Sequence, residues 1–169
     1  LYREEPTLKI LTREYGVIIF KHCFPVGSIQ PDNEQPDIGS ETKTIANYKL
    51  QYIALRDKLQ EFPDTKFILF VGPALTQGST SEAEALRTRE FFSWVRDEWD
   101  QSDDNIYLWD LYEIETDGGL YMQPKYAVSP LDPHPNKILA RQAVQLLFNR
   151  ILDVIENNGN HTSFELVKT

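Results

Sequence analysis

The sequence predicts an α/β fold, a parallel sheet with helices on both of its faces. Three runs, YGVIIFKHCF at 15 to 24, KFILFVGPAL at 66 to 75 and NIYLWDLYEI at 105 to 114, are apolar without alternation. A strand with one wet face alternates with period two, so continuous runs of this length belong to strands buried on both sides. Between and after them lie segments whose apolar residues recur three and four apart, the spacing of one helical face. Strand and helix therefore alternate, which is the pattern of parallel connections.

A first helix is expected in EEPTLKILTRE (4 to 14), where Leu8 and Leu11 share a face and acidic residues lead, as a helix N-terminus favours. The first strand has its centre at 16 to 22. PVGSIQPDNEQPDIGSETK then reads as a long surface loop, with the acidic stretch at 32 to 41 a solvated face. From 44 to 62, Ile45, Tyr48, Tyr52, Leu55, Leu59 and Phe62 form a helical stripe that Pro63 ends. The second strand, 66 to 71, breaks into Gly72 and Pro73. Ser81 and Glu84 are spaced as a capping box for a helix at 81 to 99 whose apolar side runs through Ala85, Phe92, Val95 and Trp99. The third strand, 105 to 110, leaves Asp110 near its end. A last helix, 136 to 156, presents Ala140, Ala143, Leu147, Ile151 and Val154 and stops at Asn157, Asn158 and Gly159.

Bulk properties narrow the class. A chain of 169 residues makes one domain, 1 to 157, with a tail at 158 to 169. No apolar run approaches the roughly 20 residues of a membrane span. The net charge of -9, with no cluster of Lys or Arg to offset it, argues against nucleic acid as a partner. The single cysteine, Cys23, excludes an internal disulfide, and three histidines with one cysteine show no metal-ligand spacing, so neither metal nor other cofactor is expected. A chain that starts at Leu1 without a signal pattern is expected to begin part-way through a gene product. Asn160, His161 and Thr162 form a glycosylation sequon that reads as a chance match.

The chemistry concentrates in SPLDPHPN, 129 to 136. Pro133 and Pro135 push Asp132 and His134 toward extended geometry, and residues two apart on a strand project to the same side. The Asp132 carboxylate can then hold one ring nitrogen of His134 and leave the other for proton transfer. The competing structural role is a histidine that caps the last helix. Parallel α/β sheets gather ligands at the carboxyl ends of their strands. His22, Cys23 and Pro73 stand there and are the expected substrate contacts. Ser28 and Ser79 sit in loops as turn residues and not as nucleophiles. No Gly-x-Ser-x-Gly elbow occurs.

Taken together, DPHPN before the last helix, VGPAL at the end of one strand and IYLWDLY in the next resemble the SGNH, or GDSL, hydrolases, over about 15 to 155 in order of elements. The resemblance implies a three-layer, flavodoxin-like domain that cleaves an acyl ester of a sugar or lipid, with His134 as general base and Asp132 as its orienting partner. Three departures bear on it. That family places its aspartate three residues before the histidine, where this chain has Leu131. Its oxyanion asparagine belongs where KHCF offers His22, Cys23 and Phe24. Its nucleophilic serine precedes the first of these strands and is expected outside this chain. The alternative is a non-catalytic binding or scaffold domain on the same fold.

Overall fold

A computed structural model of the protein describes residues 7–32 and 35–160. It is a mixed α/β structure built on a three-stranded sheet, β1 (Val17–Lys21), β2 (Lys66–Val71) and β3 (Ile106–Asp110), in that spatial order. Both pairings are parallel, Ile18 beside Phe67 and Phe67 beside Ile106, as the continuous apolar runs predict. The helices are α1 (Leu8–Glu14), α2 (Ile45–Gln60), α3 (Glu82–Trp94), α4 (Leu111–Thr116) and α5 (Lys137–Asn157).

Register sorts the strand side chains into two faces. Ile18, Phe20, Phe67, Leu69, Val71, Ile106 and Leu108 share one, and His22 continues its alternation just beyond β1. This face belongs to α2 and α3: the His22 ring lies 5.3 Å from that of Tyr48, centre to centre, and Trp99 Nε1 donates to the Tyr52 carbonyl at 2.6 Å. Val17, Ile19, Lys66, Ile68, Phe70, Tyr107 and Trp109 share the other, which α5 covers. There Lys66 Nζ donates to the Val154 carbonyl at 2.6 Å, and Gly159, just past the helix, packs on the Tyr107 ring. Helices between consecutive strands thus occupy one face and the last helix the other, as right-handed crossovers require.

Several expectations are corrected. The third strand stops at Asp110 as expected, but a helix not expected from the sequence follows it: the Asp110 carboxylate accepts the Glu113 N–H at 3.0 Å and starts α4. The helix at 81 to 99 carries the capping box on Ser81 and Glu84 but finishes as a π-helical turn over Val95–Trp99. The loop at 25 to 43 is not all surface, because Val26, within a 3₁₀ turn at Phe24–Gly27, and Ile29, just after it, are fully buried. The buried line of α5 runs through Leu139, Ala143, Arg150 and Val154, leaving Ala140 exposed and Leu147 and Ile151 half-buried. A hairpin of β4 (Ala127–Ser129) and β5 (Asp132–Pro135), paired antiparallel, stands where a loop is expected. Residues 4 to 6 of the first expected helix, 161 to 169 of the tail and most of the sequon lie outside the described residues.

The core joins all layers. Phe67, Leu69, Leu108, Phe91, Phe92, Trp99 and Leu139 are buried together, and at about 1.5–3 kcal/mol for each large apolar side chain this burial is the principal stabilising contribution. Asn105 closes the lower rim, its Nδ2 donating to the carbonyls of Leu59, Phe62 and Thr65 at 3.2, 2.9 and 2.9 Å.

Candidate functional site

The prolines of DPHPN act as the sequence implies. Asp132 to Pro135 is a strand, and the Asp132 and His134 side chains leave it on one side. His134 Nδ1 lies 2.5 Å from Asp132 Oδ1, and the same oxygen accepts the His134 backbone N–H at 3.0 Å. These two bonds, the backbone one first, hold the Asp132 carboxyl below its ordinary range. An ionised carboxylate only accepts, so Nδ1 is the ring nitrogen that donates to it. The pair is solvent-reachable, with 67% of the His134 side chain and 43% of the Asp132 side chain exposed.

The capping role falls to a different residue. Asn136 Oδ1 accepts the N–H groups of Ile138 and Leu139 at 2.9 and 3.3 Å, while its Nδ2 donates to the Lys125 and Ala127 carbonyls, both at 2.9 Å. One side chain therefore starts α5 and ties it to β4. His134, two residues earlier, is left out of the cap.

The hairpin is anchored on the loop that follows β2. Thr76 Oγ1 donates to the Pro130 carbonyl at 2.7 Å and lies 2.7 Å from Ser79 Oγ, which occupies Ser79 as a turn residue. Gly78 is required at this contact, since a Cβ there would stand 2.5 Å from the Pro130 oxygen. The turn after β1 joins the same assembly: a Cβ on Gly27 would meet Leu75 Cγ at 2.8 Å. Segments 22–27, 72–79 and 129–134 thus meet at the carboxyl ends of the three strands, where a parallel sheet places its ligands.

The other expected contacts occupy this end differently. His22 is half-buried against Tyr48 and Tyr52, with its Nδ1 3.4 Å from the Tyr52 hydroxyl. Burial, and after it the charge of Lys43, push the His22 pKa down, so the ring is neutral at pH 7. Cys23 lies past the end of β1 and is exposed, which removes the inert packing role of a strand cysteine. Pro73 is buried in a cis peptide with Gly72. Asp110, at the end of β3, is tied to structure, bonding Arg96 at 3.0 Å as well as capping α4. Burial outweighs those bonds and raises its carboxyl.

Glu115 escaped the sequence reading, because nothing in YEIETDG distinguishes a buried glutamate from a solvated one. It is fully buried, and its Oε2 accepts the Ala74 N–H at 2.7 Å. Burial pushes its carboxyl up to about 8, with Lys21 pulling it down and Asp110 adding to the rise. This side chain fixes the post-β2 loop from below, as Thr76 fixes the hairpin from above.

No family model, curated protein or solved structure matches the chain. What the site can do rests on its chemistry. A cavity of about 1010 Å³ lies at the opposite end of the sheet, lined by Asp100, Asp104, Arg150 and Asn158 among others. Its wall runs to Asn160, where the described residues stop, and no histidine lines it; the dyad marks the better candidate. Among the described residues no group of His, Cys, Asp and Glu is arranged to hold a metal ion. No helix there is long and apolar enough to cross a membrane.

Proposed function

We propose that the chain carries the acid–base half of an SGNH-like ester hydrolase, a three-layer domain acting on an acyl ester of a sugar or lipid. The observation that supports it is the Asp132 and His134 pair, closed at 2.5 Å on a hairpin at the carboxyl ends of the strands. The aspartate stands two residues before the histidine and not three, and the extended backbone at Pro133 makes that spacing sufficient. In the reaction His134 Nε2 takes the proton from a serine hydroxyl as its oxygen bonds the acyl carbon. It returns that proton to the leaving alkoxide, while Asp132 steadies the imidazolium formed between the two steps. The serine comes from polypeptide outside the described residues.

A non-catalytic binding domain is the second reading. It draws on KHCF, where His22 is tied to Tyr52 and no asparagine stands ready to donate to an oxyanion. Fluorophosphonate labelling of the protein from its natural gene, with peptide mapping, separates the two. Hydrolysis predicts a labelled serine outside 7–160. It also predicts that His134→Ala lowers both labelling and p-nitrophenyl ester turnover about 10²- to 10⁴-fold, the usual contribution of general-base catalysis. The thermal midpoint should stay in place, because the ring is exposed. Turnover unchanged by His134→Ala would overturn the proposal, and a protein with neither labelling nor turnover belongs to the binding class.

A further inference from the structure

Glu115 is a buried ionisable group that the chemistry of the dyad does not use. α4 holds its backbone in place: its neighbours Ile114 and Thr116 are buried, and its carbonyl accepts the Gln123 N–H at 2.8 Å. Only one of its two carboxyl oxygens is engaged. Oε2 accepts the Ala74 N–H at 2.7 Å, whereas Oε1 is buried and meets no hydrogen-bond partner among the described residues. Such a place suits a neutral carboxyl far better than a charged one, because a buried carboxylate requires donors for its remaining lone pairs.

Against this carboxyl lies the loop from Gly72 to Ser79, which has no charged residue of its own. The loop in turn seats the hairpin. Its Leu75 carbonyl accepts the Met122 N–H at 2.9 Å, and Thr76 Oγ1 donates to the Pro130 carbonyl at 2.7 Å, two residues before Asp132. Direct contacts therefore run from Glu115 through Ala74 and Thr76 to the segment that carries Asp132 and His134. Two charged groups act on Glu115 from the elements around it, Lys21 at the end of β1 and Asp110 at the end of β3. Burial pushes the carboxyl up to about 8, against the pull of the Ala74 bond and of Lys21 and with a push from Asp110. The proton is thus held at neutral pH and lost just above it.

We propose that Glu115 is a proton-dependent latch on the hairpin: with its proton it keeps the loop at 72–79 seated, and without it the loop lifts and the Asp132 and His134 pair shifts from the strand ends. The lifting lets donors reach Oε1, which the closed arrangement denies it. The loop is the part that moves. α4 is fixed by its buried side chains and by the Asp110 cap, while residues 72–76 lie outside helix and strand and meet the Glu115 side chain through the Ala74 bond. Both arrangements belong to the folded protein, so the two-state element is the loop and the proton on Glu115 biases it. The latch concerns where the pair stands and holds whether or not that pair cleaves esters.

The test is an NMR titration of the whole chain from pH 6 to 9.5 that follows the Glu115 carboxyl carbon, the Ala74 amide and the His134 ring. The three should share an inflection at about pH 8, with the Ala74 amide losing protection from hydrogen exchange above it and the amides of Leu69 and Leu108, inside β2 and β3, staying in place. Glu115→Gln keeps an acceptor for Ala74 and cannot ionise, so it should erase the inflection from both Ala74 and His134. Asp110 is intact in that variant, and an inflection that persists there overturns the proposal. A carboxyl that ionises while Ala74 or His134 stays still also overturns it, as does one that does not titrate in this range. Leu69 and Leu108 moving together with the rest would mean that the domain unfolds, which refutes a latch. Should Glu115→Gln fail to fold, the wild-type signals decide: coincident inflections support the latch and separate ones overturn it.

Discussion

Replacing Glu115 with Gln should make the protein more stable at high pH and leave it nearly unchanged at low pH. The wild-type carboxyl has an ordinary value of 4.5 and is pushed by burial to about 8 in the fold. Between those limits the unfolded chain has released this proton while the folded chain still holds it. The folded state therefore binds more protons, and stability falls as pH rises through that window, by up to about 1.4 kcal/mol per pH unit. The loss is complete only above the folded value, where it reaches on the order of 5 kcal/mol as an upper bound. Glutamine is isosteric and keeps an oxygen for the Ala74 N–H, the 2.7 Å bond that orders the post-β2 loop, but it cannot ionise. Urea unfolding followed by tryptophan fluorescence from pH 5 to 8.5 measures the effect, Trp99 being fully buried. The gain of the variant should be below about 1 kcal/mol at pH 5 and grow to several kcal/mol at pH 8.5. Comparing the two proteins at each pH removes the contributions of groups remote from residue 115, while Asp110, which is coupled to Glu115, contributes to the difference together with it. Parallel curves, or a variant less stable throughout, would refute a carboxyl kept protonated by burial.

Asn136→Ala should cost about 2–3 kcal/mol in the same urea assay, because it removes the α5 cap and both tethers to the hairpin. A loss below about 0.5 kcal/mol would mean that water replaces them all. Gly78→Ala should lower the thermal midpoint and move the His134 ring resonances, since its Cβ would press on the Pro130 oxygen from 2.5 Å. Gly39→Ala, with only Asp37 Oδ1 at 3.5 Å, should do neither. Equal behaviour of the two glycine variants would dissolve the link between the post-β2 loop and the dyad.

Local chemistry determined much of this protein from the sequence alone. Three parallel strands follow from uninterrupted apolar runs, and the start of α3 from the spacing of Ser81 and Glu84, although β1 has no fully buried residue and Ile19 at its centre is exposed. The Asp132 and His134 pair follows from two prolines that leave the backbone between them little choice but to extend. Each of these depends on residues within a few positions of one another, where steric exclusion and periodicity act directly. Tertiary structure decided what depends on distant partners. The sequence of α5 is apolar on more than one arc, so its pattern allowed several buried faces; the sheet selected Leu139, Ala143 and Val154 and left Val144 and Phe148 outside. Val26 and Ile29 sit in a segment whose composition says surface, yet both are fully buried in the core. Glu115 looks like any helical glutamate until Ala74, 41 positions away, donates to it in a place water does not reach. The physical reason is common to all three: burial is a property of the space between elements, and that space exists only after they have packed.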